Sequence, residues 1–366
     1  QATGLLDRSW TGDATIVDWN RDRLPDLYVL NMQGDDHYWE NRGADGFVER
    51  TAELFPRTPW GTMGVKSLDY DNDGDLDLLL TDMHSDMSEE IEPDREHLKS
   101  RMTWSDDVLQ GGANNIFGNA FFRNQGDRFE EVSDLLGLEN YWPWGVSVGD
   151  VNADGYEDVF IASSMNYPYR YGVNSLKLNN AGTLFLDVEL MVGIEPRRDN
   201  RIKVPWFLLD CVTRDREHPL CRQRRGIVEL WASAGTRTSA MLDLDDDGDL
   251  DLVTGEFNSA PQVLINDLAQ RHDVNWIRVE LEGTSSNRDG LGALVRAEAG
   301  DLRQTRYVDG KSGYLSQSRM PLYFGLGELR AVDRIEVTWP SGIVQVETGP
   351  IPSGSTVHLE EPRRPR

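Results

Sequence analysis

The chain has 366 residues, of which 63 are Asp or Glu and 37 are Lys or Arg, so its formal net charge is −26. Such an acidic surface argues against nucleic acid as a partner, because phosphates are bound by cationic side chains. No run of about 18 apolar residues occurs, so the sequence predicts no helix that spans a membrane, and its length permits two domains with separate cores.

Four copies of one acidic loop recur along the chain, each with oxygen-bearing side chains at positions 1, 3, 5 and 9. These residues are Asp18, Asn20, Asp22 and Asp26, then Asp69, Asp71, Asp73 and Asp77, then Asp150, Asn152, Asp154 and Asp158, and finally Asp243, Asp245, Asp247 and Asp251. Position 7 is expected to offer a backbone carbonyl, from Asp75, Tyr156 and Asp249 in the last three copies. Calcium takes about six to eight oxygen ligands. We therefore predict three to four Ca²⁺ ions.

Position 6 of the loop is glycine in three copies, namely Gly74, Gly155 and Gly248. The sequence predicts a sharp turn there, at a place where a Cβ atom would clash. The first copy departs from this pattern, because Arg23 occupies position 6 and Pro25 occupies position 8. We expect the three glycine-containing loops to bind calcium, and we expect the loop at Asp18 to bind it as well.

The segment after each loop predicts a β-strand. An EF-hand loop would carry a bidentate Glu at position 12 and continue into a helix. Here position 12 is Val29, Leu80, Ile161 or Thr254, within short apolar runs that are typical of buried strands. Clusters of Asp, Asn and Gly are also common in simple turns. Four copies in one register favour the metal-binding interpretation.

Similarity between the copies extends past these strands. An aromatic or aliphatic segment follows each strand and ends in Asn41, Asn124, Asn179 or Asn266. A repeated unit of several short strands is typical of small sheets arranged radially. The units resemble the FG-GAP/VCBS repeats of integrin α-chain propellers and of many bacterial surface proteins. That resemblance implies an all-β fold containing a calcium-binding β-propeller.

The copies are unevenly spaced, which predicts two insertions, at about 83–116 and 195–234. The first contains a segment, Ser88–Met102, that predicts a short helix. The second is locally basic, with nine Arg or Lys against four Asp or Glu in residues 197–225. This excess indicates a contact surface for an acidic partner or for the protein's own propeller face, or else a solvated loop.

After the fourth loop the pattern changes to short strands separated by turns, which predicts a small β-sandwich. The motifs Ser286-Asn-Arg-Asp-Gly-Leu-Gly-Ala293, Gly310-Lys-Ser-Gly-Tyr-Leu-Ser-Gln317, Phe324-Gly-Leu-Gly327 and Trp339-Pro-Ser-Gly342 resemble the ASPIC/UnbV domain. The whole chain thus resembles the bacterial relatives of cartilage acidic protein 1. This resemblance implies an extracellular, cell-surface or periplasmic protein with a propeller at 1–272 and a β-domain at 273–366.

The chain has two cysteines, Cys211 and Cys221, both in the second insertion. In an exported protein they are expected to form a disulfide that holds this insertion together. Two buried thiols are the alternative.

Sequence motifs of common enzyme classes are absent, including Gly-x-Ser-x-Gly, His-Glu-x-x-His and Cys-x-x-Cys. Asp82, His84 and Asp86 could bind a transition metal or act as acid and base, or they are ordinary polar loop residues. Lys311 in Gly310-Lys-Ser312 is interpreted as a turn residue. The sequence favours a binding or adhesion module, or a structural subunit of a surface assembly. It would contact a protein or glycan through loops and insertions. The alternative is a polysaccharide lyase or hydrolase that uses a propeller cleft.

Overall fold

The computed structural model describes residues 4–83, 116, 118–164, 171–198 and 201–363. Within these residues the fold is all-β, as predicted. The α-helices in the described part are single turns, α1 (Thr51–Leu54), α2 (Ser133–Leu136) and α3 (Leu268–Arg271). The helix predicted over Ser88–Met102, and the residues His84 and Asp86, lie outside the described residues. No helix in the described segments is long and apolar enough to cross a membrane.

The first three repeats each form a four-stranded antiparallel meander. The strands of the first sheet are β1 (Thr11–Val17), β2 (Asp26–Asn31), β3 (His37–Asn41) and β4 (Phe47–Glu49). Those of the second are β5 (Thr62–Leu68), β6 (Asp77–Asp82), β7 (Ala120–Asn124) and β8 (Phe129–Glu131). Those of the third are β9 (Pro143–Gly149), β10 (Asp158–Ser163), β11 (Ser175–Asn179) and β12 (Phe185–Asp187). Each acidic loop therefore joins the first and second strands of its sheet.

The second insertion and the fourth repeat follow. The insertion contains a hairpin of two strands, β13 (Lys203–Asp210) and β14 (Ile227–Ser233). The fourth repeat has three strands, β15 (Thr236–Leu242), β16 (Asp251–Glu256) and β17 (Gln262–Leu264). In all four repeats the strand after the acidic loop begins at position 9, which confirms the predicted loop-to-strand transition.

The four repeat sheets pack side by side through their first strands in a propeller-like arrangement. Strand β1 lies against β5, β5 against β9, and β9 against β15. Aromatic and aliphatic side chains fill the space between successive sheets, including Tyr28, Phe55 and Phe122 between the first two. Phe121 and Phe185 belong to the next core cluster. Burial of such large side chains is the main favourable contribution to this packing.

The hairpin β13–β14 is closed at its tip by a disulfide between Cys211 and Cys221, as predicted. Both cysteines are buried in a small apolar cluster with Leu209, Val228 and Leu230. The base of the hairpin packs through a separate cluster that contains Val204, Ala232 and Ala234. The insertion is therefore an ordered, cross-linked element within its described residues.

Seven strands at the C-terminal end form two sheets that pack face to face as the predicted sandwich. The strands of the smaller sheet, in spatial order, are β21 (Leu322–Gly325), β18 (Trp276–Glu282) and β24 (Ser355–Glu360). Those of the larger sheet are β20 (Leu302–Tyr307), β19 (Leu294–Ala299), β22 (Ala331–Thr338) and β23 (Val344–Pro352). Alternate residues of these strands point inward and build one core around Ile277, Val295, Phe324, Ile335 and Trp339.

Candidate metal centres

The four acidic loops share one backbone hydrogen bond. The N–H of position 6 donates to the carboxylate of position 1 in each loop. The donor and acceptor pairs are Arg23 N and Asp18 Oδ2 at 3.0 Å, Gly74 N and Asp69 Oδ2 at 3.1 Å, Gly155 N and Asp150 Oδ2 at 2.8 Å, and Gly248 N and Asp243 Oδ2 at 3.1 Å. The first loop therefore curls like the others despite its divergent sequence.

The curl depends on two left-handed backbone positions per loop. Position 6 has a positive φ in every copy, from 71° at Arg23 to 104° at Gly248. Position 4 also has a positive φ of about 56–59° in all four copies. Glycine is thus favoured at position 6 because it adopts positive φ without strain. The predicted clash with a Cβ atom is wrong for Gly74, because open space surrounds its Cα.

The carboxylate at position 9 is hydrogen-bonded to an asparagine in each repeat, a role that the sequence did not reveal. Its backbone N–H donates to the position-9 carboxylate in each repeat. The pairs are Asn41 with Asp26 at 2.7 Å, and Asn124 with Asp77, Asn179 with Asp158 and Asn266 with Asp251, each at 2.8 Å. The side-chain amide of each asparagine also donates to the carbonyl of position 8. The sequence signal for this role was the recurrence of Asn at the end of the third strand of each repeat or, for Asn266, two residues after it.

Carboxylates converge in the second and fourth loops. Oxygens of Asp69, Asp71 and Asp73 lie within 4.8 Å of one another, as do those of Asp243, Asp245 and Asp247. Loops one and three have Asn at position 3, whose amide donates to the position-5 carboxylate, at 3.2 Å from Asn20 to Asp22 and 3.0 Å from Asn152 to Asp154. Positions 1, 3 and 5 therefore lie close together in the second and fourth loops, and positions 3 and 5 are hydrogen-bonded in the first and third.

Several loop oxygens are buried without a hydrogen-bond partner, namely Asp69 Oδ1, Asp247 Oδ2 and Asp249 Oδ1. A buried acceptor without a donor is costly, and a carboxylate oxygen can instead bind a cation. A hard divalent ion with oxygen ligands fits these atoms. The donor sets are therefore compatible with calcium.

Burial makes these carboxylates hard to ionise without a cation. It raises the pKa of Asp69 and of Asp150 to about 7, and the pKa of Asp26 and of Asp249 to about 6. The neighbouring Asp154 carboxylate contributes to the shift at Asp150. A bound Ca²⁺ would reverse the sign of this local field and favour the ionised forms.

Three protein-family models match parts of this chain. Residues 18–80 and 105–161 match the FG-GAP-like repeat, residues 142–186 match the FG-GAP repeat, and residues 283–366 match ASPIC and UnbV. The chain carries FG-GAP repeats followed by an ASPIC/UnbV domain. This confirms the resemblance drawn from the loops and from the C-terminal motifs.

Curated relatives carry the name cartilage acidic protein 1. The chain is 28% identical over 272 residues to the protein of Xenopus tropicalis and 27% identical over 274 residues to that of Homo sapiens. These alignments cover 64% of this chain in both cases, and 41% and 40% of the relatives. The chain thus spans about two-fifths of the length of the curated relatives it matches.

The position-7 residues of the FG-GAP loops use their side chains in different ways. Asp75 forms an exposed ion pair with Arg21 of the first loop. Asp249 is buried and accepts a 2.7 Å hydrogen bond from Ala269 N. Their backbone N–H groups behave alike, because those of Asp75, Tyr156 and Asp249 each donate to the position-5 carboxylate, at 2.8, 2.9 and 3.3 Å. The carbonyl ligand predicted at this position remains a prediction.

The C-terminal sandwich, which contains the ASPIC/UnbV match, docks against the third and fourth acidic loops. Gly327 N donates to Ala153 O of the third loop at 2.9 Å. Tyr323 Oη donates to Gly248 O of the fourth loop at 2.8 Å. Arg278 approaches Asp243 Oδ2 at 3.5 Å. The loops therefore form part of the contact between the repeats and the sandwich.

A segment of the ASPIC/UnbV domain also reaches the first strands of all four repeats. Lys311 pairs with Asp13 of β1 at 2.5 Å, and Asp309 pairs with Lys66 of β5 at 2.6 Å. Backbone hydrogen bonds join Gly313 N to the carbonyl of residue 146 at 2.8 Å and Tyr314 N to that of residue 237 at 3.1 Å. Lys311, interpreted from sequence as a turn residue, is thus an interdomain ion-pair partner.

Of the three residues considered for catalysis, Asp82, His84 and Asp86, only Asp82 lies within the described residues. This carboxylate is fully buried at the end of β6 and accepts hydrogen bonds from Trp60 N and Gly61 N, both at 3.2 Å. The Asp82 carboxylate thus stabilises the segment that leads into β5, and this contact is a structural reason for an acidic residue at position 82.

Proposed function

We propose that this chain is an exported binding module whose FG-GAP loops hold three to four structural Ca²⁺ ions. The observation that carries the proposal is the shared loop geometry, in which positions 1, 3 and 5 converge and carboxylate oxygens are buried without donors. Calcium would supply the missing positive charge. The residues that would hold it are those at positions 1, 3, 5 and 9, with the position-7 carbonyl completing the set.

Export is supported by the disulfide between Cys211 and Cys221. Disulfides persist in oxidising compartments outside the cytoplasm. Calcium loops of modest affinity suit the same surroundings, where extracellular modules bind at about 10⁻⁴–10⁻³ M. We therefore propose an extracellular, cell-surface or periplasmic location.

The calcium register can be tested within one loop. Asp73→Ala removes a carboxylate from the converging set, so we expect it to weaken calcium binding by at least about tenfold, or 1.4 kcal/mol. Asp75→Ala is the matched control, because its side chain points to Arg21 at the surface. We expect that control to leave calcium affinity nearly unchanged. Isothermal titration of both variants with CaCl₂ measures the difference, and equal losses would show that the loop register is wrong.

The hairpin β13–β14 is the element proposed to contact a partner. Its outer residues Leu208, Ile227 and Trp231 are 54%, 65% and 44% exposed, and its surroundings are the basic part of an acidic chain. Exposed aromatic and aliphatic side chains on a rigid support are typical of interaction hot spots. The disulfide limits the freedom of the hairpin and lowers the entropy cost of binding. A protein or glycan with acidic groups fits this surface.

We expect the double substitution Ile227→Ser with Trp231→Ala to abolish partner binding while calcium-dependent melting is retained. The matched control is Val344→Ser, because Val344 is a 48% exposed apolar residue on β23, away from the hairpin. Affinity capture in calcium-containing buffer from the native source, with mass spectrometry of the captured molecules, provides the measurement. A partner retained equally by all three proteins would place the contact elsewhere.

A further inference from the structure

A cavity of about 460 Å³ lies where the repeat sheets meet the C-terminal sandwich. Lys66 and Ser67 of β5 line it from the repeat side. Arg278 of β18 and the residues Tyr307 and Asp309 line it from the sandwich side. Small-molecule sites in proteins usually have volumes of about 300–1,000 Å³ and are common at domain interfaces. The cavity has the size and position of a ligand site, and Asp243 of the fourth acidic loop also contributes to its lining.

Four polar atoms on residues that line this cavity are buried and have no hydrogen-bond partner. They are Ser67 Oγ, Arg278 Nε, Tyr307 Oη and Asp309 Oδ2. Ser67, Tyr307 and Asp309 are only 5%, 8% and 8% exposed. Buried polar groups in folded proteins are normally paired. These residues therefore give the lining both donors and acceptors that a polar occupant could use.

The charges of the lining are already balanced, which argues for a neutral occupant. Lys66 pairs with Asp309 at 2.6 Å, and Arg306 pairs with Glu157 at 3.0 Å. Arg319 pairs with Asp289 at 3.2 Å. An anion would compete with these carboxylates, and it would also meet Asp309 Oδ2, which can only accept a hydrogen bond. A neutral hydroxyl group can donate to that oxygen and accept from Arg278 or Tyr307.

One side of the cavity is apolar. It includes the aliphatic side chains of Leu291 and Met320. An apolar surface opposite hydrogen-bonding groups suits a ring that has C–H faces and a rim of hydroxyl groups. Such a ligand would bury its faces against the aliphatic side chains and satisfy the polar atoms with its rim.

We propose that this cavity binds a neutral monosaccharide or cyclic polyol, held between the FG-GAP repeats and the ASPIC/UnbV domain. Ser67 and Tyr307 would hydrogen-bond hydroxyl groups from opposite sides, and Asp309 would accept from a third. Because the two sides belong to different parts of the chain, the ligand would also strengthen their contact. The proposal depends on the cavity and not on calcium at the loops.

The test is titration of the full chain, saturated with calcium, with galactose, glucose, mannose and myo-inositol. We expect at least one of these to bind at one site per chain with a Kd below about 1 mM and to raise the melting temperature. Tyr307→Phe removes one hydroxyl group and should weaken that binding about fivefold, the effect of one neutral hydrogen bond. Ser67→Ala should produce a similar loss.

Tyr314→Phe is the matched control, because Tyr314 packs on Trp144 with ring centroids 5.3 Å apart and is not among the residues that line the cavity. It should bind the same sugar unchanged. Binding of glucuronate or inorganic phosphate without any neutral sugar would overturn the proposed ligand class. Absence of binding by all four probes, or binding that Tyr307→Phe and Ser67→Ala leave unchanged, would overturn the site. Titration of the same protein samples with calcium measures binding at the acidic loops, so a failure of the sugar site is distinguished from a failure of the metal sites.

Discussion

Removal of calcium is expected to lower the melting temperature of this chain by more than about 10 °C. A ligand that binds only the native state stabilises it by about 2.7 kcal/mol when its free concentration is a hundred times Kd. Three occupied loops would contribute about 8 kcal/mol on that basis. At an unfolding entropy of about 2.1 cal/mol/K per residue, each kcal/mol shifts the melting temperature of a chain of this length by about 1–2 °C, so the total shift is on the order of 10 °C or more.

The size of this effect follows from where the carboxylates lie. Asp77 and Asp158 are buried at position 9, and burial raises the pKa of each well above its usual value. In the absence of a cation, the carboxylates of one loop repel each other in a poorly solvated place. Calcium binding and folding should therefore be coupled.

Calorimetry in excess EDTA, followed by calcium re-addition, measures the shift and its reversibility. Magnesium is the control ion, because it demands octahedral geometry and should restore less stability than calcium. A melting curve that EDTA leaves unchanged would count against structural calcium at these loops.

Gly325→Ala is expected to destabilise the chain by about 3 kcal/mol and to weaken calcium binding at the third loop by at least about tenfold. A Cβ atom on Gly325 would collide with Asp150 Oδ2 and lie 2.6 Å from Ala153 Cα. Both atoms belong to the third acidic loop, so the extra methyl group would displace the Asp150 carboxylate at position 1 or separate the sandwich from the loop. Overpacking of tightly packed sites costs about 1–3 kcal/mol and sometimes more.

Gly354→Ala serves as the control for this substitution. Gly354 has a φ of +78° and no atom within 4 Å of a Cβ built on it, so only the backbone penalty of about 1–2 kcal/mol applies. Denaturant unfolding and calcium titration of both variants provide the comparison. If Gly325→Ala lowers stability but leaves all calcium sites intact, the third loop does not depend on its contact with the sandwich.

The local parts of this structure could be predicted from the sequence. The oxygen side chains at positions 1, 3, 5 and 9 fix the register of each loop, and the apolar run that follows predicts the strand that begins at position 9. Even the first loop, with Arg23 in place of glycine, adopts the common hydrogen-bond scheme. Loop geometry and strand alternation involve residues close together in the chain, so their pattern is visible in sequence.

The tertiary structure alone decided how these parts meet. A Cβ atom on Gly155 would lie 2.8 Å from Leu302, and one on Gly248 would collide with Trp276, so these glycines also admit the C-terminal sandwich. The ion pair between Lys311 and Asp13 joins residues 298 positions apart. No local pattern encodes such contacts, because they depend on the relative placement of whole sheets. The sequence by itself therefore determined the repeats and the register of their acidic loops, while close packing between distant segments placed the sandwich on the loops and formed the cavity beside them.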